Sequence, residues 1–221
     1  MRKLDFKRIF KNFLFFCFCL SALSLTSCSE EPGEEGRDYE GRPEDIVDDD
    51  HVKVENRYGI IAICEKGTWG NQYCDTMPEA SRDYYKDYLY NQVALSYKPD
   101  TLMGGVSSAT AVYLMRFFKQ TDSVEVAMKF MEDYRDDVFC AFEGLYYSEI
   151  TPLESTKLNG YDAYRFTVKM SEDLVKDGVQ EYYLMYHKKR IYCAGYSISA
   201  SSSENAKEIC EEVLNTVKLG Q

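Results

Sequence analysis

Hydrophobic and polar residues alternate with period two through much of the second half of the chain. Tyr164, Phe166, Val168 and Met170 alternate with Arg165, Thr167 and Lys169, as in a strand with one buried face. Tyr182, Leu184 and Tyr186 repeat the pattern within Val179–His187, and Tyr192, Ala194, Tyr196 and Ile198 repeat it within Arg190–Ala200. Asn159-Gly160 separates Leu153–Leu158 from Tyr161–Met170, and that pair suits a two-residue hairpin because both positions need positive φ. Asp177-Gly178 is a second turn signal, and Lys188-Lys189 makes a polar hairpin tip. These segments predict a four-strand antiparallel meander.

Beyond Ala200 the period changes. Ala206, Ile209, Cys210, Val213, Leu214 and Val217 recur at helical spacing, behind a Ser-x-x-Glu capping box at Ser201–Glu204. An amphipathic helix is predicted here, laid on a sheet face. In the first half, Tyr58–Cys64, Gln92–Tyr97 and Ala109–Phe118 read as strands. Thr76-Met77-Pro78-Glu79 starts a helix that runs to about Leu89. A second helix is expected from Asp122 to about Asp137, with Val124, Met128, Met131 and Tyr134 toward the core. Adjacent aromatics in strands, Tyr146-Tyr147 and Tyr182-Tyr183, should point to opposite faces.

The N-terminus follows another pattern. Arg2, Lys3, Lys7, Arg8 and Lys11 precede an apolar run from Phe13 to Leu20, which gives way to small residues and then Leu25-Thr26-Ser27-Cys28. A basic head, a short apolar stretch and small residues are the layout of a secretory signal peptide, here residues 1–27. The apolar stretch is shorter than the roughly 20 residues a spanning helix needs. Residues 29–50 hold eleven acids against Arg37 and Arg42, a net charge of −9, with little to bury. Residues 28–50 therefore read as a flexible acidic tether. The chain carries −11 overall, of which residues 51–221 account for only −6, with 19 bases against 25 acids. That body shows no internal linker or repeat and reads as one domain. An acidic chain with pI about 4.8 repels nucleic-acid phosphates.

Leu25-Thr26-Ser27-Cys28 resembles the bacterial lipobox. The resemblance implies that Cys28 becomes the mature N-terminus, carrying acyl chains that hold the protein on a membrane. Cys28-Ser29-Glu30-Glu31 resembles the lipoprotein export signal of Bacteroidota, which implies delivery to the outer face of the outer membrane through Ser29, Glu30 and Glu31; otherwise the periplasmic face is expected. The body resembles the Mog1/PsbP-like α/β sandwich family, an antiparallel sheet between helices. Leu158–Tyr164, Tyr182-Tyr183, Arg190-Ile191-Tyr192 and a final helix ending Thr216-Val217-Lys218-Leu219 carry that likeness over about 65 residues. The fold class expected is α+β, and the family's functions are mixed, so fold implies little about activity.

Candidate chemistry is sparse. Gly104-Gly105-Val106-Ser107-Ser108-Ala109 lacks the second Gly of a nucleophile elbow. Only two histidines exist: His51 at the tether's end and His187 at a hairpin tip, the latter expected to be solvated. No zinc set and no Ser-His or Cys-His pair is expected. The run Asp48-Asp49-Asp50-His51 lacks calcium-loop spacing and reads as solvated charge. Cys64 and Cys74 flank a loop with Gly67, Gly70 and Asn71, and a disulfide between them is possible outside the cytoplasm. Cys193 and Cys210 read as small buried hydrophobes. The expectation is a lipid-anchored, non-catalytic envelope protein without cofactor or metal that binds a protein or another extracellular ligand. An extracytoplasmic hydrolase and a structural accessory of a membrane complex are the alternatives.

Overall fold

The structure, a computed structural model, describes residues 47–56, 59–74, 88, 90–100, 108–140, 143–173 and 175–220. The expected signal peptide, Cys28, Ser29, Glu30, Glu31, most of the tether and the loop from Gly104 to Ser107 lie outside these residues. So does the helix expected over Thr76–Leu89, apart from Tyr88. The first half supplies β1 (His51–Asn56), β2 (Ile60–Glu65), β3 (Trp69–Cys74), β4 (Tyr90–Tyr97), β5 (Ala111–Gln120) and α1 (Val124–Tyr134). The second supplies β6 (Tyr147–Ile150), β7 (Glu154–Leu158), β8 (Tyr161–Met170), β9 (Val179–His187), β10 (Arg190–Ile198), α2 (Ala206–Leu214) and β11 (Lys218–Leu219).

β7, β8, β9 and β10 form the expected antiparallel meander. Its turns behave as their residues require. Asn159 and Gly160 sit at φ 44° and 85°, and Lys188 and Lys189 at 46° and 68°. The lysine pair adopts the left-handed region without glycine, at a cost of about 1–2 kcal/mol per residue. The sheet then continues through β5, β4 and β3, while β6 and β7 share the outer edge of β8. β1, β2 and β11 make a second, three-stranded antiparallel sheet.

Alternation sends residues of the large sheet to two cores. Toward one face go Tyr113, Met115 and Phe117 of β5, Phe166 and Val168 of β8, and Tyr182 and Leu184 of β9, which pack against α1. Toward the other go Val112, Leu114, Tyr192, Ala194 and Tyr196, which pack against the small sheet and α2. The fold is thus α+β, a mostly antiparallel sandwich. Tyr182 and Tyr183 do face opposite ways, one into each core. Tyr146 and Tyr147 do not: Tyr146 precedes β6, where strand alternation has not begun, and both enter the α1 core.

Three expectations need correction. α1 turns Ala127, Phe130, Met131 and Tyr134 inward, while Val124 stays 60% exposed. The spacing i, i+3, i+4, i+7 permits this face, and aromatic packing selects it: Phe117 and Tyr134 meet edge to face at 4.9 Å. A π-helical turn, Arg135–Phe139, follows and drops Phe139 onto Phe166 at 5.1 Å. Second, the final helix stops at Leu214, and Val217 to Leu219 leave it to close the small sheet as β11 on β2. The Thr216 hydroxyl secures that exit by accepting the Ile63 N–H at 2.7 Å and donating to the Val213 carbonyl at 2.6 Å.

Third, Ser201–Glu204 does not cap α2, whose N-cap is Asn205. Ser203 is diverted to Asp100, which lies just past β4 and is only 7% exposed. Its carboxylate accepts the Ser203 N–H at 3.0 Å and the hydroxyls of Ser203 and Thr110. Its backbone carbonyl accepts the Ala109 N–H at 3.0 Å, and Ser202 donates to the Ala109 carbonyl at 2.8 Å. A buried charge is a stronger acceptor than a neutral one and gains from several donors, so it gathers β4, the entry to β5 and the approach to α2 at one point.

Candidate functional site

The lipid-attachment and export residues lie outside the described chain, so the geometry bears on the body alone. Among the described residues no helix is long and apolar enough to cross a membrane, and no three His, Cys, Asp or Glu side chains are grouped to hold a metal.

Cys64, one half of the possible bridge, is a free, buried thiol facing the core beneath the small sheet. Cys64 lies one residue from the end of β2, whereas Cys74 ends β3 in the other sheet. Cys193 and Cys210 are free and buried, in opposite cores. Cys140, half-buried past the π-turn, is free as well.

His51 opens β1 rather than belonging to the tether, and its Nδ1 lies 2.9 Å from Asp48 Oδ1. That hydrogen bond lifts the imidazole above its ordinary value and lowers the carboxylate. His187 is half-buried instead of solvated, edge-on to Tyr161 at 5.3 Å. Burial, then the charge of Lys188, lowers its pKa. Among the described residues no hydrogen bond joins it to a carboxylate or thiol.

Burial raises several weak acids. The Cys64 and Cys210 thiols are pushed up to about 12, and Cys193 is pushed higher. Tyr113 rises to about 12 and Tyr182 well above the ordinary phenol value. A pKa raised in the folded state leaves stability intact below the unfolded pKa and removes it as pH climbs toward the folded one. Stability should therefore hold to about pH 8.5. It should then fall by about 1.4 kcal/mol per pH unit for each of the three buried thiols, about 4 kcal/mol together by about pH 9.5. The tyrosines steepen the fall above about pH 10. Thermal melts from pH 8 to 10.5 check this; a flat melting temperature would show the thiols exposed.

The most organised polar cluster lies on the face of the large sheet that α2 shares. Register aligns Thr167, Glu181 and Tyr196 in one cross-strand row over β8, β9 and β10. The next row aligns Glu154, Arg165, Tyr183 and Ala194 over β7 to β10. Tyr183 links the rows by donating to Glu181 Oε1 at 2.5 Å, and the Thr167 hydroxyl donates to Oε2 at 3.4 Å. Arg165 reaches outward to Glu154 at 2.8 Å. α2 packs chiefly over β10, β5 and β2, and Arg165, Thr167 and Tyr183 beside it stay partly open. Burial and the Glu181 hydrogen bond raise the Tyr183 phenol; burial and the charges of Glu181 and Glu211 raise Tyr196. The arrangement offers a phenol, an acceptor carboxylate and a hydroxyl donor side by side. The opposed faces of Tyr182-Tyr183 pointed toward it. The charge at Glu181 on a core-facing strand position was the signal left unused.

No protein-family model matches the chain, and no curated protein matches it in sequence. Among solved structures it is similar to a crystal structure of a protein from Bacteroides thetaiotaomicron VPI-5482, with 9% identity and a TM-score of 0.43. The similarity covers 78% of this chain and 48% of that one, so the chain spans about half the length of the structure it matches.

Proposed function

We propose that the protein is a lipid-anchored, non-catalytic lipoprotein of the outer membrane, whose body is a binding module displayed at the cell surface. The observation that carries this reading is Leu25-Thr26-Ser27-Cys28 at the end of a signal-peptide pattern, followed at once by Ser29-Glu30-Glu31 and an acidic tether. Cys28 is the acylated residue, and Ser29, Glu30 and Glu31 form the export cue. The body is a Mog1/PsbP-like sandwich, supported by the meander and the helix lying after it. Binding, rather than hydrolysis, fits a polar cluster with no histidine in it. A protein or another extracellular ligand is the partner, and no cofactor is required.

Display is tested by replacing Glu30 and Glu31 with Ala. This removes two charges of the tether's −9 and leaves the acyl chains in place. Protease added to intact cells should digest the wild-type body and spare the variant, held on the inner face. Equal digestion of both would remove the export role from these acids; protection of both would place the wild type in the periplasm.

A further inference from the structure

Glu181 is a carboxylate only 8% exposed with no ion-pair partner among the described residues. Its two hydrogen bonds come from neutral donors, the Tyr183 phenol and the Thr167 hydroxyl. Charged side chains are seldom buried so deeply without a counter-charge, because desolvation is costly. Arg165, the nearest cation in register, is bonded to Glu154 and also feels the charge of Glu181 without reaching ion-pair distance, so one base is shared between two acids. Directly across from Glu181 stands Tyr196, 2% exposed, whose hydroxyl makes no hydrogen bond among the described residues. Glu211, on the exposed flank of α2, adds a second negative charge felt by both Tyr183 and Tyr196. Its partner Lys207 is 3.6 Å away and solvent-screened.

We propose that Glu181, Tyr183 and Tyr196, with Glu211 on the rim, form a site for a cationic side chain, an ammonium or guanidinium, presented by a partner protein. The inference rests on the reading of the body as a binding module and supplies the chemistry of what it binds. The cation pairs with Glu181 and lies against the face of Tyr183, an arrangement that adds ring attraction to ion pairing. The Tyr196 oxygen accepts from the same group. A neutral sugar would also use a phenol and a carboxylate. The local excess of negative charge favours the cation.

The test uses the full-length, detergent-solubilised protein, titrated calorimetrically at about 0.15 M salt so that attraction to the acidic body at large is screened. Pentalysine is the cationic probe and maltopentaose the neutral one. Saturable binding of pentalysine is expected, at least tenfold weaker in Glu181→Gln and several-fold weaker in Tyr196→Phe, which removes one hydroxyl. Glu132→Gln makes the same charge change on α1, across the sheet, and should shift binding less than twofold. Melting curves show whether each variant is folded, and Tyr196→Phe decides if Glu181→Gln is not. Three results overturn the site: equal effects of Glu181→Gln and Glu132→Gln, pentalysine binding no tighter than that of maltopentaose, or no pentalysine binding by the wild type. Acylation and surface exposure are read separately, so loss of this site and loss of the anchoring account are distinguishable.

Discussion

Asp100→Ala should lower the stability of the body by about 3–5 kcal/mol and its melting temperature by about 10 °C or more. The carboxylate is nearly buried and holds three donors: the Ser203 N–H, the Ser203 hydroxyl and the Thr110 hydroxyl. Removing it leaves those groups unpaired where water has little access, and each orphan costs about 1–3 kcal/mol before relaxation. The damage also spreads, because the contact joins β4, β5 and the segment leading to α2. Asp100→Asn keeps the shape and one acceptor oxygen but turns a second donor toward Ser203 or Thr110, so an intermediate loss is expected. Denaturant melts of the two variants beside the wild type measure both. A change within about 0.5 kcal/mol for Asp100→Ala would show that the serine segment is tied down by something else.

That hub was not legible in the sequence, and the reason is general. Asp100 follows a proline in a turn, 103 residues before Ser203, and nothing local marks it as buried. Ser201–Glu204 has the local form of a cap, and local form was overruled by a distant charge. What was legible depended on periodicity within one element. Tyr161–Met170 and Arg190–Ile198 each bury one or both faces in a sheet interior, and their turns need residues that tolerate positive φ, so pattern and turn agree. β1, β3 and β11 are short and carry too few residues for a period to show; β1 and β11 flank β2 in the small sheet, and β3 edges the large one beside β4. The candidate site has the same character. Glu181 and Tyr196 are 15 positions apart and meet only because the β9–β10 register places them opposite each other. The thiols show the same limit: spacing suggested Cys64 with Cys74, while the chain places them on strands of different sheets.

The second large effect concerns the anchor. Each acyl methylene buried in the membrane contributes about 0.8 kcal/mol, so several chains on one residue hold a body of this size firmly. Cys28→Ala removes the only sulfur at which they would be attached. The chain should lose membrane retention after cleavage, or persist as an uncleaved precursor, while the melting behaviour of residues 51–221 stays the same. Fractionation and the apparent mass of the product separate those two outcomes, and either one contrasts with a wild type found wholly with membranes.

Metabolic labelling with an alkyne fatty acid tests the central claim most directly. Cells expressing the wild type and Cys28→Ala are grown with the label, and the purified chains are compared after coupling to a fluorophore. The account predicts strong label on the wild type and none on the variant. Undiminished label on Cys28→Ala, or none on the wild type, would contradict it.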